Sequence, residues 1–160
     1  MTSKEENQHV YDIVAKNPVC MFTVHGKDAP LLSRPMTVAK TEDDGEMWIF
    51  TTDGSDPATE VGQEAQVNLS FSGKGEWLSI HGSAVVITSE PKARELWNKA
   101  VEEFFPDGPE SKDIVLIRVR PEGAEYWTSP GGPLSTAFHW AKALLTGSRV
   151  DAGESATVEL

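Results

Sequence analysis

Residues 31–52 read LLSRPMTVAK, TEDDG and EMWIFTT, and they predict two β-strands joined by a turn. Every second side chain of the first strand falls on one face of it. That face carries Leu32, Arg34, Met36 and Val38. The second strand alternates in the same way and ends in DGSDP at residues 53–57. The fold is therefore expected to be built around this hairpin.

A guanidinium in line with apolar side chains needs an anionic partner, and Arg34 is in that position. One possible partner is the phosphate tail of a flat aromatic ligand. The aromatic ring and the hydroxyls at the end of the second strand would suit such a ligand. The other is a carboxylate of the chain itself, which is acidic and offers many. The pattern alone favours the carboxylate, because structural ion pairs are as able to occupy such positions as functional ones.

Length and charge limit the classes of protein to which the chain can belong. It has 160 residues, 25 of them acidic and 14 basic, for a formal net charge of -11. This length predicts one domain, and the lack of a basic run predicts no nucleic-acid partner. The single cysteine, Cys20, excludes an intrachain disulfide and is expected in the core. An acidic N-terminus and the lack of a long apolar segment predict a cytoplasmic protein without a membrane span.

Local patterns predict the elements in the first half of the chain. Apolar residues at helical spacing predict a first helix that ends before Asn17. Residues 19–24 are apolar on both faces and predict a strand covered on both sides. Pro35 places its strand at a sheet edge or beside a bulge. Asp56 as a cap and Pro57 in the first turn predict a short helix.

The second half of the chain continues with strands and helices. Residues 77–88 predict a long strand in which Gly82 marks a bulge or a close backbone approach. One helix is expected from about residue 89 to residue 104, then strands over 114–119 and 124–128, and an amphipathic helix over 134–145. We expect a domain over residues 1–147 and a polar tail over 148–160 that is ordered only if it docks. About seven antiparallel strands with short helices indicate an α+β fold containing a small β-barrel.

The residues that could carry chemistry do not form a recognisable catalytic or metal motif. The four histidines are scattered over different elements and lack thiols or carboxylates at ligand spacing, so no metal site is expected. No nucleophile elbow, P-loop or dinucleotide fingerprint occurs. Trp48 and Trp127 lie near strand ends, where either core packing or a stacking or subunit contact is consistent with the pattern.

Several segments, in their order and spacing, resemble a known family. They are SRPMTV, MWIFTTDGS, QVNLSF, WLSIHGSA, ELW, FFPDG, VLIRVRPEGAEYW and AKALLTG. The set is similar to the bacterial general stress proteins of the pyridoxamine phosphate oxidase-like superfamily and covers nearly the whole chain. The resemblance implies an FMN-binding split β-barrel that forms a homodimer and binds FMN, or in some members FAD, at the subunit interface.

The resemblance also assigns roles to individual residues. Arg34 would contact the flavin phosphate, and Met36, Phe50 and Thr51 would line the ring and the ribityl chain. Thr52 and Ser55 would lie near the ribityl and phosphate end, and Trp127 would approach the flavin from the partner chain.

The chain departs from the family at one point of this pattern. Many relatives follow the serine with Arg-Lys, whereas this chain has Asp56 and Pro57. Loss of two cations predicts weaker phosphate binding. Three functions are consistent with the sequence: an FMN-dependent oxidoreductase, a flavin-binding stress protein without turnover, and a dimeric ligand-binding module without flavin. No catalytic residue is identifiable.

Overall fold

The structure, a computed structural model, describes residues 3–25, 30–62, 65–129 and 154–160. The helices within these residues are α1 (Ser3–Lys16), α2 (Asp56–Val61), α3 (Glu90–Leu96) and α4 (Lys99–Phe104). The strands are β1 (Val19–His25), β2 (Leu32–Thr41), β3 (Met47–Thr52), β4 (Ala65–Gly73), β5 (Glu76–Ile87), β6 (Ile114–Thr128) and β7 (Glu154–Glu159).

All described strands belong to one antiparallel sheet with the order β3-β2-β1-β4-β5-β6-β7. An additional pairing of β3 with β6 closes six of these strands into a barrel, and β7 extends the sheet beyond β6. The prediction of an α+β fold with a barrel of about seven antiparallel strands is confirmed. The predicted hairpin forms β2 and β3, with the turn at residues 42–46.

Strand β6 is one strand of 15 residues, so the prediction of two separate strands was wrong. Its first half pairs with β3, and its second half pairs with β7 along the same edge. The register against β5 shifts between His81 and Gly82, where Gly82 faces Pro121. Pro121 and Gly123 therefore mark a bulge at which the strand changes partner and do not end it. Gly82 also makes the close backbone approach that was expected, to the carbonyl of Arg120.

The barrel interior holds the main hydrophobic core. Its largest fully buried side chains include Phe22, Phe71 and Met47. Helix α1 forms as predicted and buries Val10, Ile13 and Val14 against this core. The thiol of Cys20 lies in the same core, and burial raises its pKa to about 12. The cysteine is therefore a core residue, as its sequence context predicted.

A second, smaller core lies between β3, β6 and the short helices. Trp48, Phe50, Leu96 and Val101 are among its buried members. The single helix predicted over residues 89–104 was wrong, because the chain forms α3 and α4 with a break between them. At the break the Oδ1 atom of Asn98 accepts hydrogen bonds from two main-chain N–H groups of α4, at 3.0 and 3.1 Å. The apolar spacing continued through this residue and concealed its capping role.

One face of the sheet, which we call the outer face, carries the exposed side chains of β1, β4, β5 and β6. Val19 and Met21 project from it and are 49% and 44% exposed. The prediction that this strand is covered on both sides was therefore wrong for the chain by itself. Trp77 and Trp127 are opposite each other further along the same face. The outer face thus combines polar side chains with a group of exposed apolar ones.

The C-terminal segment contributes to the sheet. The sequence predicted a polar tail over residues 148–160. Within this segment, Glu154–Glu159 forms β7 and pairs with Gly123–Thr128 of β6. Val158 is buried in the main core. The helix predicted over residues 134–145 lies outside the described residues. Among the helices that the structure does describe, none has the length and apolar character needed to cross a bilayer.

Candidate functional site

Strands β2 and β3 diverge along half of their length and leave a groove between them. Their residue pairing begins at Val38 and runs to Thr41, whereas residues 32–37 of β2 pair only with β1 within the described sheet. Helix α4 lies opposite the diverging half. The groove has a volume of about 360 Å³ and is lined by residues 35–39 of β2, by Phe50 of β3, and by Pro18, Asn98, Ala100, Val101, Phe104 and Phe105. We call it the split groove.

The main chain of Thr37 is turned toward the split groove. The N–H of Val38 donates to the carbonyl of Pro18 at 2.9 Å, so the main-chain polar groups of Val38 point toward β1. In an antiparallel ladder the main-chain polar groups of successive residues point to opposite edges. The N–H of Thr37 therefore points to the edge where β2 and β3 separate. The groove thus has a polar main-chain wall at Thr37 beside its apolar side chains.

Apart from Thr37 and Asn98, the described residues that line the split groove have apolar or aromatic side chains. Phe50 packs edge-on against Trp97, with ring centroids 5.8 Å apart, and lies 6.0 Å from Phe105. These contacts hold the ring of Phe50 in the lining of the groove. None of the described lining residues carries an ionisable side chain. Such a surface is suited to a flat ring system, because it offers large apolar contacts and few polar ones.

Arg34 lies on β2 before the split groove and forms an ion pair with Glu60 of α2. Its Nη1 and Nη2 atoms donate to the two carboxylate oxygens of Glu60 at 2.6 and 3.1 Å. These hydrogen bonds raise the pKa of Arg34 and lower that of Glu60. The hypothesis that the arginine pairs with a carboxylate of the chain is thus confirmed. Sequence alone did not identify Glu60 as the partner.

The hydroxyl groups predicted for the tail end of a ligand lie around the start of α2. The Oγ1 of Thr51 and the Oγ of Ser55 are 2.9 Å apart. Ser55 is the N-cap of α2 in place of Asp56, and its Oγ accepts the N–H of Ala58 at 3.4 Å. Thr51 is buried, whereas Thr52 is exposed and its carbonyl accepts the N–H of Ser55. These three residues form one hydrogen-bonded turn.

The predicted site residues therefore fall into four groups. Met36 and Phe50 line the split groove, and Thr51, Thr52 and Ser55 form the turn before α2. Arg34 is held by Glu60. Trp127 is not among the residues that line the groove, and it stays on the outer face.

Two features of the site were missed in the sequence. Five residues between 98 and 105 form one wall of the groove, although nothing in their pattern marks them as more than a helix face. Glu60 is 26 residues from Arg34 and meets it only because α2 folds back toward β2. Trp48, for which a stacking role and a core role were both open, is buried in the second core, with the Nζ of Lys92 4.9 Å from its ring centroid.

Comparison with known proteins identifies the family. The family described as pyridoxamine 5'-phosphate oxidase like matches residues 5–151. This chain belongs to that family. A curated relative, protein bli-3 of Neurospora crassa, is 30% identical over 138 residues, which are 79% of this chain and 66% of that protein. The chain thus spans slightly less than two thirds of the length of that relative.

Solved structures of similar fold come from bacteria. A protein of Jannaschia sp. CCS1, assigned as a general stress protein 26, has a TM-score of 0.76 at 25% identity, covering 98% of this chain and 99% of that one. A protein described as the general stress FMN/FAD binding protein of Xanthomonas citri has a TM-score of 0.68 at 26% identity. That match covers 78% of this chain and 89% of the other. Split-barrel general stress proteins are therefore among the structural relatives of this chain.

Proposed function

We propose that this chain binds a flavin with its ring in the split groove. The observation that carries the proposal is the divergence of β2 from β3, which opens an apolar groove beside Met36 and Phe50. The groove volume of about 360 Å³ is in the usual range for small-molecule sites. Further support comes from the relative that is described as FMN/FAD binding. The proposal concerns the ring, which FMN, FAD and riboflavin share.

The structure supports specific roles for the groove residues. Met36 and Phe50 would contact the ring, and the N–H of Thr37 would donate to a carbonyl or ring nitrogen at its edge. Thr51, Thr52 and Ser55 would lie toward the ribityl chain, because their turn follows β3 directly. Arg34 would stand at the far end of the tail. The bound flavin would supply redox chemistry, and the protein residues would bind it and exclude water.

A homodimer is part of this proposal. The outer face exposes Val19, Met21, Trp77 and Trp127, whose combined apolar surface needs cover. A second copy would cover it through a two-fold contact between identical faces. In that arrangement Trp127 would be brought toward the groove of the partner.

Two activities are compatible with a bound flavin, namely an oxidoreductase and a flavin holder without turnover. The second is favoured by one observation: the described lining of the split groove has no side chain that could donate or accept a proton. Steady-state turnover of the flavin-loaded protein, with a reduced nicotinamide as electron donor, separates the two. Turnover faster than that of free flavin would establish the oxidoreductase.

The location of the ring is tested by filling the split groove. Ala100 lies on α4 and lines the groove, whereas Glu103 is exposed on the same helix and does not. We expect Ala100→Trp to weaken riboflavin binding at least tenfold and Glu103→Trp to change it less than twofold. Circular dichroism of both variants checks that they are folded. Equal affinity of the two variants would contradict the location.

A further inference from the structure

The guanidinium of Arg34 is already occupied by an anion of the chain. Two parallel hydrogen bonds join it to the carboxylate of Glu60, and the two side chains are 23% and 22% exposed. This is the fork geometry in which arginine also binds phosphate. A phosphate that used this same fork would have to replace Glu60, because both N–H groups of the fork are donated to the carboxylate oxygens of Glu60.

A second carboxylate adds to the negative charge at this place. The charge of Asp56 acts on Arg34 together with that of Glu60, and both raise the pKa of the guanidinium. One cation and two anions give these three side chains a net charge of -1. A phosphate monoester at neutral pH carries close to two further negative charges. If Glu60 were displaced, its free carboxylate would remain on α2 beside this anion.

The start of α2 offers few hydrogen-bond donors that could offset this negative charge. Pro57 has no N–H to donate, and the N–H of Ala58 is already bound by Ser55. The hydroxyl of Ser55 is also within hydrogen-bond distance of Thr51. The N–H of Ala58 and the hydroxyls of Ser55 and Thr51 are therefore engaged inside the chain. The apolar lining of the split groove suits the proposed ring, whereas the charges and the ion pair at the tail end do not suit a phosphate.

We propose that Glu60 determines ligand specificity by filling the anion site of Arg34 from within the chain. The split groove then takes a flavin whose ribityl tail ends in a hydroxyl group, riboflavin, in preference to FMN. This inference rests on the proposed flavin function. A terminal hydroxyl can hydrogen-bond to the outer edge of the ion pair without separating its partners. A phosphate can take this fork of Arg34 only by breaking two charge-assisted hydrogen bonds, and at the other N–H groups of the guanidinium it would lie beside the carboxylate of Glu60.

The test compares riboflavin and FMN on the same protein by fluorescence titration at low ionic strength. For the unmodified chain we expect riboflavin to bind at least tenfold more tightly than FMN. In Glu60→Gln, which removes the charge and keeps the shape, FMN affinity should rise at least fivefold and riboflavin affinity should stay within twofold. Adding Arg34→Ala to Glu60→Gln should abolish the gain for FMN.

Two further variants control for general effects. Glu103→Gln makes the same change of net charge on exposed α4 and should leave the preference unchanged. Glu60→Asp keeps the charge and should not raise FMN affinity.

Several results would overturn the proposal. If FMN binds the unmodified chain as tightly as riboflavin, or if Glu60→Gln does not gain FMN affinity, the assignment of Glu60 is wrong, while the flavin function stands. If neither flavin binds the unmodified chain or Glu60→Gln, then both the proposed flavin function and the assignment of Glu60 are wrong. Because the first comparison uses the unmodified chain, it does not depend on the folding of any variant.

Discussion

Trp77 and Trp127 are directly opposite each other on β5 and β6, and both indole side chains remain exposed, at 45% and 39%. Exposed aromatic pairs on a sheet face are typical of surfaces that bind another protein. We therefore predict that the protein is a dimer at micromolar concentration and that Trp77→Ser combined with Trp127→Ser weakens it at least tenfold. Sedimentation velocity measures the change.

The control for the tryptophan pair is Glu103→Ser. It changes an exposed side chain of α4 that is not among the described residues lining the split groove. This variant should remain dimeric. A monomeric unmodified protein would contradict the predicted dimer.

The N–H of Thr37 can be removed without changing the pairing of β2 with β1, since it points to the opposite edge. Thr37→Pro is predicted to weaken riboflavin binding about tenfold, because one buried hydrogen bond contributes about 1 kcal/mol and the proline ring also narrows the groove. Thr37→Ala keeps the N–H and should bind within twofold of the unmodified protein. Titration of both variants with riboflavin tests this role. Equal affinities of the two variants would show that the N–H of Thr37 does not bind the flavin.

Gly82 is required by the bulge in which β5 meets β6. A Cβ atom at this position would overlap the main-chain carbonyl of Arg120, which cannot move without disturbing β6. We expect Gly82→Ala to lower the free energy of unfolding by about 2–4 kcal/mol, the range of large packing defects. Ser83→Ala, one residue further along β5, should cost less than about 1 kcal/mol. Urea denaturation compares the two, and similar values would contradict the close approach.

The ion pair of Arg34 and Glu60 predicts a pH dependence of stability. The hydrogen bonds from Arg34 lower the pKa of Glu60 below its ordinary value of 4.5. Its contribution to stability is therefore fully present above pH 4.5 and is lost as the pH falls below that value through the folded-state pKa. At pH 7 we expect Glu60→Gln to be less stable than the unmodified protein by about 1 kcal/mol. The difference should shrink as the pH is lowered below 4.5 in urea denaturation, and a constant difference would exclude the pair as its source.

Sequence patterns correctly predicted those parts of the fold that depend on residues close together in the chain. The hairpin of β2 and β3 was recognisable because alternating side chains and a turn sequence occur within 22 consecutive residues. The same reasoning failed at Asn98, where apolar spacing runs across a helix break, and at Pro121, where a strand continues past a proline. In both cases the outcome depends on contacts with other elements. Asn98 caps α4, and the bulge at Pro121 lies where β6 passes from β3 to β7.

The candidate site was predictable only in part, for a similar reason. Residues on β2 and β3, such as Met36 and Phe50, could be placed because the hairpin itself brings them together. The opposite wall from α4 and the carboxylate of Glu60 come from elements distant in sequence. An acidic chain made a carboxylate partner for Arg34 expected, but the choice among 25 acids is made by tertiary structure.

The central claim, that the split groove holds a flavin ring, is tested most directly by titrating the purified protein with riboflavin. Quenching of the flavin fluorescence reports binding, and equilibrium dialysis gives the stoichiometry. The account predicts saturable binding of one flavin per chain, which Ala100→Trp weakens at least tenfold. Absence of saturable binding for riboflavin, FMN and FAD alike would contradict it.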